Sequence, residues 1–113
     1  MNSMGLNSII VNPVKYAAIT ASAAGDNQVV TAVTNRKIRG LAYSMVADAA
    51  EVVQWQDDGG ATMSGTISLA ANGGVVSDSA PDVGLFQSAV GQGIDLNNVG
   101  GADVDGHFTY LEV

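Results

Sequence analysis

The chain contains a single histidine, His107, and two aspartates, Asp103 and Asp105, lie just upstream of it in the stretch GADVDGHFTYLEV. A histidine beside carboxylates could act as a general base, activate a nucleophile or bind a metal ion. A zinc or iron site would need further histidines, cysteines or converging carboxylates, and the sequence has no second histidine and no cysteine. We therefore expect no metal and no cofactor at this cluster.

The other chemistries open to these residues lack parts as well. The calcium loop of an EF-hand needs a terminal glutamate and more acidic residues than the two aspartates Asp103 and Asp105. No serine of the chain lies in the G-x-S-x-G pattern of a nucleophile elbow. The glycine-rich stretch GQGIDLNNVGG is not followed by the lysine of a phosphate-binding loop. We interpret His107 as a residue of a β-strand, and we expect that the chain is not an enzyme.

The charge balance of the chain bears on its partners. Eleven acidic residues outnumber four basic ones, which gives a formal net charge of −7. This balance argues against binding of a nucleic acid, because a phosphate backbone is bound by clustered basic residues. Three of the bases, Arg36, Lys37 and Arg39, lie together, and we interpret them as the solvated start of a strand. No apolar run is as long as the roughly 18 residues of a membrane-spanning helix. We expect neither nucleic acid nor membrane as a partner.

Turn-forming clusters divide the chain into segments too short for helices. Gly, Asn and Asp, which tolerate a positive φ, recur in AGDN, DDGG, ANGG and NNVGG. The segments between them are rich in Val, Ile, Thr and aromatic residues, as strands are. We predict strands near residues 15–21, 28–34, 37–47, 50–57, 61–70, 85–89, 93–97 and 105–113. About eight short strands predict an all-β fold, a small antiparallel β-sandwich that is jelly-roll-like.

Alternation of apolar and polar residues orients several of these strands. In EVVQWQD, Val53 and Trp55 share one face, and in GIDLN, Ile94 and Leu96 point inward while Asp95 points outward. The continuation of EVVQWQD through DDGG into ATMSG is the strongest hairpin signal in the sequence.

One strand is apolar on both faces. In KIRGLAYSMVA, Leu41, Tyr43 and Met45 alternate with a second apolar set that includes Ile38, Ala42 and Val46. A strand that is apolar on both faces is covered on both. The second cover is either a neighbouring subunit or another layer of the same domain, and the sequence does not choose between them.

The first 14 residues differ from the rest of the chain. MNSMGLNSIIVNPV carries no charge and has no clear period, and Ile9, Ile10 and Val11 form a short apolar patch within it. We predict an extended N-terminal arm over residues 1–14 that docks on a partner, followed by a single β-sandwich domain over residues 15–113.

Two stretches of the chain resemble small β-sandwich proteins encoded among the virion genes of tailed bacteriophages. They are RKIRGLAYSMVADAAEVVQWQDDGGATMSGTISLAANGGVV and GLFQSAVGQGIDLNNVGGADVDGHFTYLEV, roughly two-thirds of the chain. Within them, the elements that carry the resemblance are Lys37–Arg39, Gly65–Gly74, Leu85–Leu96 and the closing strand Gly106–Val113.

The resemblance implies a capsid decoration (cement) protein that binds the head lattice as a homotrimer and stabilises it. Its partners would then be further copies of itself and the major capsid protein. Its location would be the capsid surface of the virion, after synthesis in the host cytoplasm. The residues expected at subunit or capsid contacts are Ile9, Ile10, Val11, Ala42, Tyr43, Ser44 and Met45.

A binding module of a tail fibre or surface protein that recognises carbohydrate is the alternative function. Sugar-binding platforms need exposed aromatic side chains, and Trp55 and Tyr16 are the candidates that the sequence offers.

Overall fold

A computed structural model describes residues 13–113 of the chain. Within this range the secondary structure consists of nine β-strands, with no helix. The strands are β1 (Lys15–Ala21), β2 (Gly25–Val30), β3 (Ile38–Ala47), β4 (Glu51–Asp57), β5 (Ile67–Leu69), β6 (Gly74–Asp78), β7 (Phe86–Gln87), β8 (Ile94–Asn98) and β9 (Val104–Glu112). The predicted all-β fold is confirmed, whereas the predicted N-terminal arm falls largely on residues 1–12, outside the described residues.

The strands form two antiparallel sheets. Sheet A has the order β1-β9-β3-β6, and the short strand β7 also pairs with β3. Sheet B has the order β2-β8-β4-β5. The two sheets face each other across a common core, which is the arrangement of a β-sandwich.

Aromatic side chains from both sheets meet at the centre of the core. The Trp55 ring of sheet B lies 4.9 Å from the Phe108 ring and 5.2 Å from the Tyr43 ring of sheet A, measured between centroids. Trp55 and Phe108 are completely buried. Contacts of this kind add to the free energy gained by burying the large apolar surface of each ring. The alternation in EVVQWQD therefore predicted the inward face of β4 correctly.

The hairpin predicted at DDGG is present. β4 ends at Asp57, the amide of Gly60 donates to the Asp57 carbonyl at 3.0 Å, and the chain returns to pair β5 with β4. The side chain of Asp57 strengthens the turn, because its Oδ1 accepts from the amides of Gly59 at 2.9 Å and Ala61 at 3.1 Å.

A β-bulge changes the face assignment predicted for β3. The pairing of β3 with β9 shifts between Gly40 and Ala42. Ile38 therefore joins Met45 in the core, whereas the regular alternation in the sequence placed these two residues on opposite faces. The side chain of Val46 lies on the other face and is 52% exposed.

Further strands differ from the prediction, and β7 has only two of the five residues predicted over 85–89. β6 was not predicted, because GGVVSD offers two adjacent valines between turn residues and no alternation. β5 is shorter than the predicted segment 61–70, because the Ser64 hydroxyl accepts from the Trp55 amide at 3.0 Å and replaces a backbone partner there. β2 spans Gly25–Val30, so it begins three residues before the predicted segment 28–34 and also ends before it.

Candidate functional site

His107 lies on β9 in the middle of sheet A and is exposed on the side away from the core. Its register partners are Ala18 on β1 and Ser44 on β3. Asp105 is exposed on the same face, whereas Asp103 precedes the strand. The backbone amide of Asp103 donates to Asp48 Oδ1 at 2.9 Å. Over residues 13–113, no group of three or more His, Cys, Asp or Glu side chains is arranged to hold a metal ion.

The buried acid Glu51 has a structural role. Its Oε2 accepts from the amide of Gly100 at 2.7 Å, and its Oε1 accepts from the amide of Ala102 at 3.1 Å. Oε2 also accepts from the amide of Val52 at 3.0 Å. The Glu51 carboxylate thus satisfies three backbone donors and fixes the connection from β8 to β9.

The solvent side of sheet A, here called the outer A face, combines apolar and small side chains with polar ones, among them two acids and the histidine. Cross-strand register arranges its residues in three rows that run from β1 to β6. The rows are Tyr16, Thr109, Ala42 and Asp78; Ala18, His107, Ser44 and Val76; and Thr20, Asp105, Val46 and Gly74.

Three of the large apolar side chains that are exposed lie on the outer A face. Tyr16 is 76% exposed, Val46 is 52% exposed and Val76 is 78% exposed. A shallow depression of about 220 Å³ lies beside the two valines and is lined in part by Ser44 and Gly74. Val46 and Val76 are close neighbours in the register, whereas Tyr16 lies on β1 at the opposite edge of the sheet. An exposed apolar patch marks a surface that packs against another molecule when it is contiguous and large.

The outer A face is almost free of basic residues. Its rows contain the acids Asp78 and Asp105 and the one histidine, and no Lys or Arg. Lys15 lies just before Tyr16 and forms an ion pair with Glu112 at 3.0 Å. An apolar partner therefore fits this surface better than a polyanion does.

The structure separates the contact residues predicted on β3 into two sets. Ala42 and Ser44 lie on the outer A face. Met45 is 1% exposed within the core, and Tyr43 packs against Trp55. The remaining predicted contacts, Ile9, Ile10 and Val11, lie outside the described residues. An outward contact on β3 can therefore involve Ala42 and Ser44, and their outward neighbour Val46.

Of the two aromatic residues considered as sugar platforms, only one is exposed. Trp55 is 0% exposed and cannot stack on a ligand, because it forms the centre of the core. Tyr16 is 76% exposed on the outer A face.

Sequence reasoning missed an unusual carboxyl group on the other side of the molecule. Asp95 of β8 points away from the core, as predicted, yet it is only 8% exposed. Burial, a hydrogen bond with the Asp58 side chain and the negative charges of Asp58, Asp26 and Asp57 raise the pKa of Asp95 to about 7. The residues next to Asp95 in sequence do not indicate this raised pKa, because Asp26 and Asp58 are brought near Asp95 only by the strand pairing of sheet B and by the turn after β4.

Within the described range, no helix is long and apolar enough to cross a membrane. Comparison of the chain with protein-family models, with curated proteins and with solved structures found no match.

Proposed function

We propose that the chain is a structural virion protein that decorates a bacteriophage capsid and stabilises it by binding the head lattice as a homotrimer. The proposal combines the sequence resemblance to small virion proteins with one structural observation, the outer A face. Under this proposal the partners are two further copies of the chain and the major capsid protein, and the protein resides on the capsid surface.

The outer A face supports the proposal because it leaves the apolar side chains of Val46 and Val76 exposed within the described residues. Val46 and Val76 lie on adjacent strands, and the residues paired with them, Gly74 and Ser44, are small enough to allow another backbone close approach. Cyclic symmetry would let identical copies cover such surfaces without leaving an open end.

The size of this face indicates that it needs a second contact. Four strands spaced about 4.8 Å apart, over about five residues of 3.3 Å each, give a face of about 300 Å². Stable interfaces bury about 800 Å² on each partner. Residues 1–12, which are uncharged and include Ile9, Ile10 and Val11, are the part of the chain that we propose supplies the remaining contact with a neighbouring subunit or the capsid.

The charge of the chain fits attachment to a lattice. At −7 per chain, free trimers repel one another, which keeps them soluble. Attachment of many copies to a regular lattice does not require high affinity at each site, because multivalent contact raises the overall strength of binding.

The direct experiment is to search for the protein in particles purified from its source. Peptide mass spectrometry and immunogold labelling of intact particles are expected to detect the chain on the head, in an amount that is a regular fraction of the major capsid protein. Its absence from purified particles, or its presence only on tails, would contradict the proposal.

Carbohydrate binding remains the second candidate, because Tyr16 presents an exposed aromatic ring on the outer A face. A glycan array separates the two functions. The capsid proposal predicts no binding above background, whereas binding that is lost in Tyr16→Ala but retained in a control variant, Ser68→Ala, would favour the carbohydrate module.

A further inference from the structure

Both edges of sheet A are open to a further strand. Within residues 13–113, β1 pairs only with β9 and β6 pairs only with β3. The pairing of β1 runs without interruption from Lys15 to Ala21, and that of β6 runs without interruption from Gly74 to Asp78. Neither strand contains a proline, and each carries a charge only at one end. Regular edges with few charges are templates for another strand.

The edges of sheet B are less open by comparison. β2 has a register shift between Gln28 and Val30, and Asp26 lies within its paired length. β5 has only three residues. Bulges, charges and short length are features that keep an edge strand from pairing with another chain. The two open edges therefore belong to the same sheet.

The directions of the two open edges are complementary. Each neighbouring pair in the order β1-β9-β3-β6 is antiparallel, so β6 runs opposite to β1. A rotation about an axis along the strands keeps the direction of every strand. The β6 strand of a rotated copy therefore meets β1 as a further antiparallel neighbour and continues the alternation of the sheet.

The rows of the outer A face indicate which residues would meet across such a joint. Continuing each row into the next copy pairs the following residues of β1 and β6: Tyr16 with Asp78, Ala17 with Ser77, Ala18 with Val76, Ile19 with Val75, and Thr20 with Gly74. No like charges face each other, and the base Lys15 lies at the end of β1 that adjoins Asp78. Ile19 belongs to the buried core and Val75 packs against it, so the apolar layer inside the sheet continues across the joint.

The joint also gathers apolar side chains that a single copy exposes at opposite edges. Tyr16 is 76% exposed on β1, and Val76 is 78% exposed on β6. In the joint, Val76 faces Ala18 of the next copy, and Tyr16 of that copy is a diagonal neighbour on the same face. Diagonal neighbours lie about 7–8 Å apart, within reach of an aromatic side chain. Tyr16 and Val76 therefore cover part of each other's apolar surface.

We propose that β1 of one copy pairs antiparallel with β6 of the next copy. The inference rests on the homotrimer of the proposed function, and it names the contact that holds the copies together. The contact is heterologous, because it joins two different edges. In the homotrimer, three such joints close sheet A into a ring without an open edge.

Introduced cysteines test the pairing, since the chain has no cysteine of its own. Directly opposite residues of an antiparallel pair have Cα atoms about 4.5–5.5 Å apart, and a disulfide spans up to about 7 Å. Within one chain, Ala18 and Val76 are three strand spacings apart, about 14 Å, which is too far. The full-length double variant Ala18→Cys/Val76→Cys, oxidised in dilute solution, is expected to run mainly as a covalent trimer on a non-reducing gel.

The matched control is Thr20→Cys/Asp78→Cys. These two positions are exposed on the same face, but in the proposed register they lie four residues, or about 13 Å, apart along the joint. The control is expected to remain largely without cross-links. Should Ala18→Cys/Val76→Cys fail to fold, Tyr16→Cys/Asp78→Cys probes the adjacent row of the same joint.

The outcomes separate this inference from the proposed function. A trimer in sedimentation equilibrium that yields no covalent trimer would overturn the pairing and leave the homotrimer in place. Covalent dimers of the single variant Ala18→Cys would also overturn the pairing, because they would show that β1 pairs with β1 of another copy. A covalent ladder that runs past three copies would support the pairing and contradict the homotrimer. A monomer without cross-links would contradict both.

Discussion

Ser44 of β3 and Val76 of β6 are direct cross-strand partners on the outer A face, and Val76 is 78% exposed there. This pairing places a small polar side chain beside an exposed apolar one, within the surface that we propose as a subunit contact. A charge introduced at Ser44 would be buried by any partner that covers Val76, without disturbing the core on the other side of the sheet.

Ser44→Lys is therefore expected to weaken the trimer. A lysine side chain is longer than serine and its ammonium group is costly to desolvate in an interface, and a tenfold loss of affinity corresponds to about 1.4 kcal/mol. We expect at least this loss in sedimentation equilibrium. The matched control is Ser68→Lys on the exposed side of sheet B, which should leave the mass unchanged. Equal behaviour of the two variants would argue against the outer A face as the contact.

Deletion of residues 1–12 is expected to reduce particle binding more than folding. The described strands begin at Lys15, so the deletion leaves β1 and its pairing with β9 intact. Thermal unfolding should shift by only a few degrees, while cosedimentation with particles stripped of the protein should fall by tenfold or more. A truncated chain that binds these particles as well as the full chain would rule out a docking role for residues 1–12.

His107→Gln is expected to leave function unchanged. His107 is exposed on β9, and glutamine retains a polar side chain of similar length. Circular dichroism and particle binding should both match those of the unmodified protein. A variant that folds normally but no longer binds particles would show that the imidazole has a role that its position on the strand does not explain.

Glu51→Gln is expected to destabilise the fold. The carboxylate of Glu51 accepts hydrogen bonds from the amides of Val52, Gly100 and Ala102, and a side-chain amide would turn a donor towards one of them. Loss of a charged acceptor from donors that are shielded from water costs up to about 1–3 kcal/mol, and these hydrogen bonds are partly buried. Urea unfolding measures this difference, and the exposed acid Asp82, changed to Asn, is the control. Equal stability of Glu51→Gln and Asp82→Asn would contradict the role assigned to Glu51.

The fold was largely predictable because its signals are local. The turn at Asp57–Gly60 is specified by its own residues, and the inward face of β4 is given by the alternation of Val53 and Trp55. The bulge in β3 was not predictable in this way, since it depends on how β9 pairs across Gly40 and Ala42.

The candidate site was predictable only in part, because pairing between strands distant in sequence decides which of its residues are exposed. The two-faced character of KIRGLAYSMVA indicated a strand whose second apolar face is covered by a neighbouring subunit or by another layer, and Ala42 and Ser44 lie on the side away from the core. The assignment of Tyr43 and Met45 to the core, and the meeting of Asp95 with Asp58, follow from contacts between strands distant in sequence. Composition and spacing carry no signal for such contacts.

The mass of the purified full-length protein in solution tests the central claim, that the outer A face is covered by identical copies. Sedimentation equilibrium at high micromolar concentration is expected to give about 34 kDa, three times the 11.4 kDa of one chain. A monodisperse species of 11.4 kDa under the same conditions would contradict the claim. It would mean that the exposed side of β3, with Val46 and its partner strand β6, is a solvated surface of a monomer.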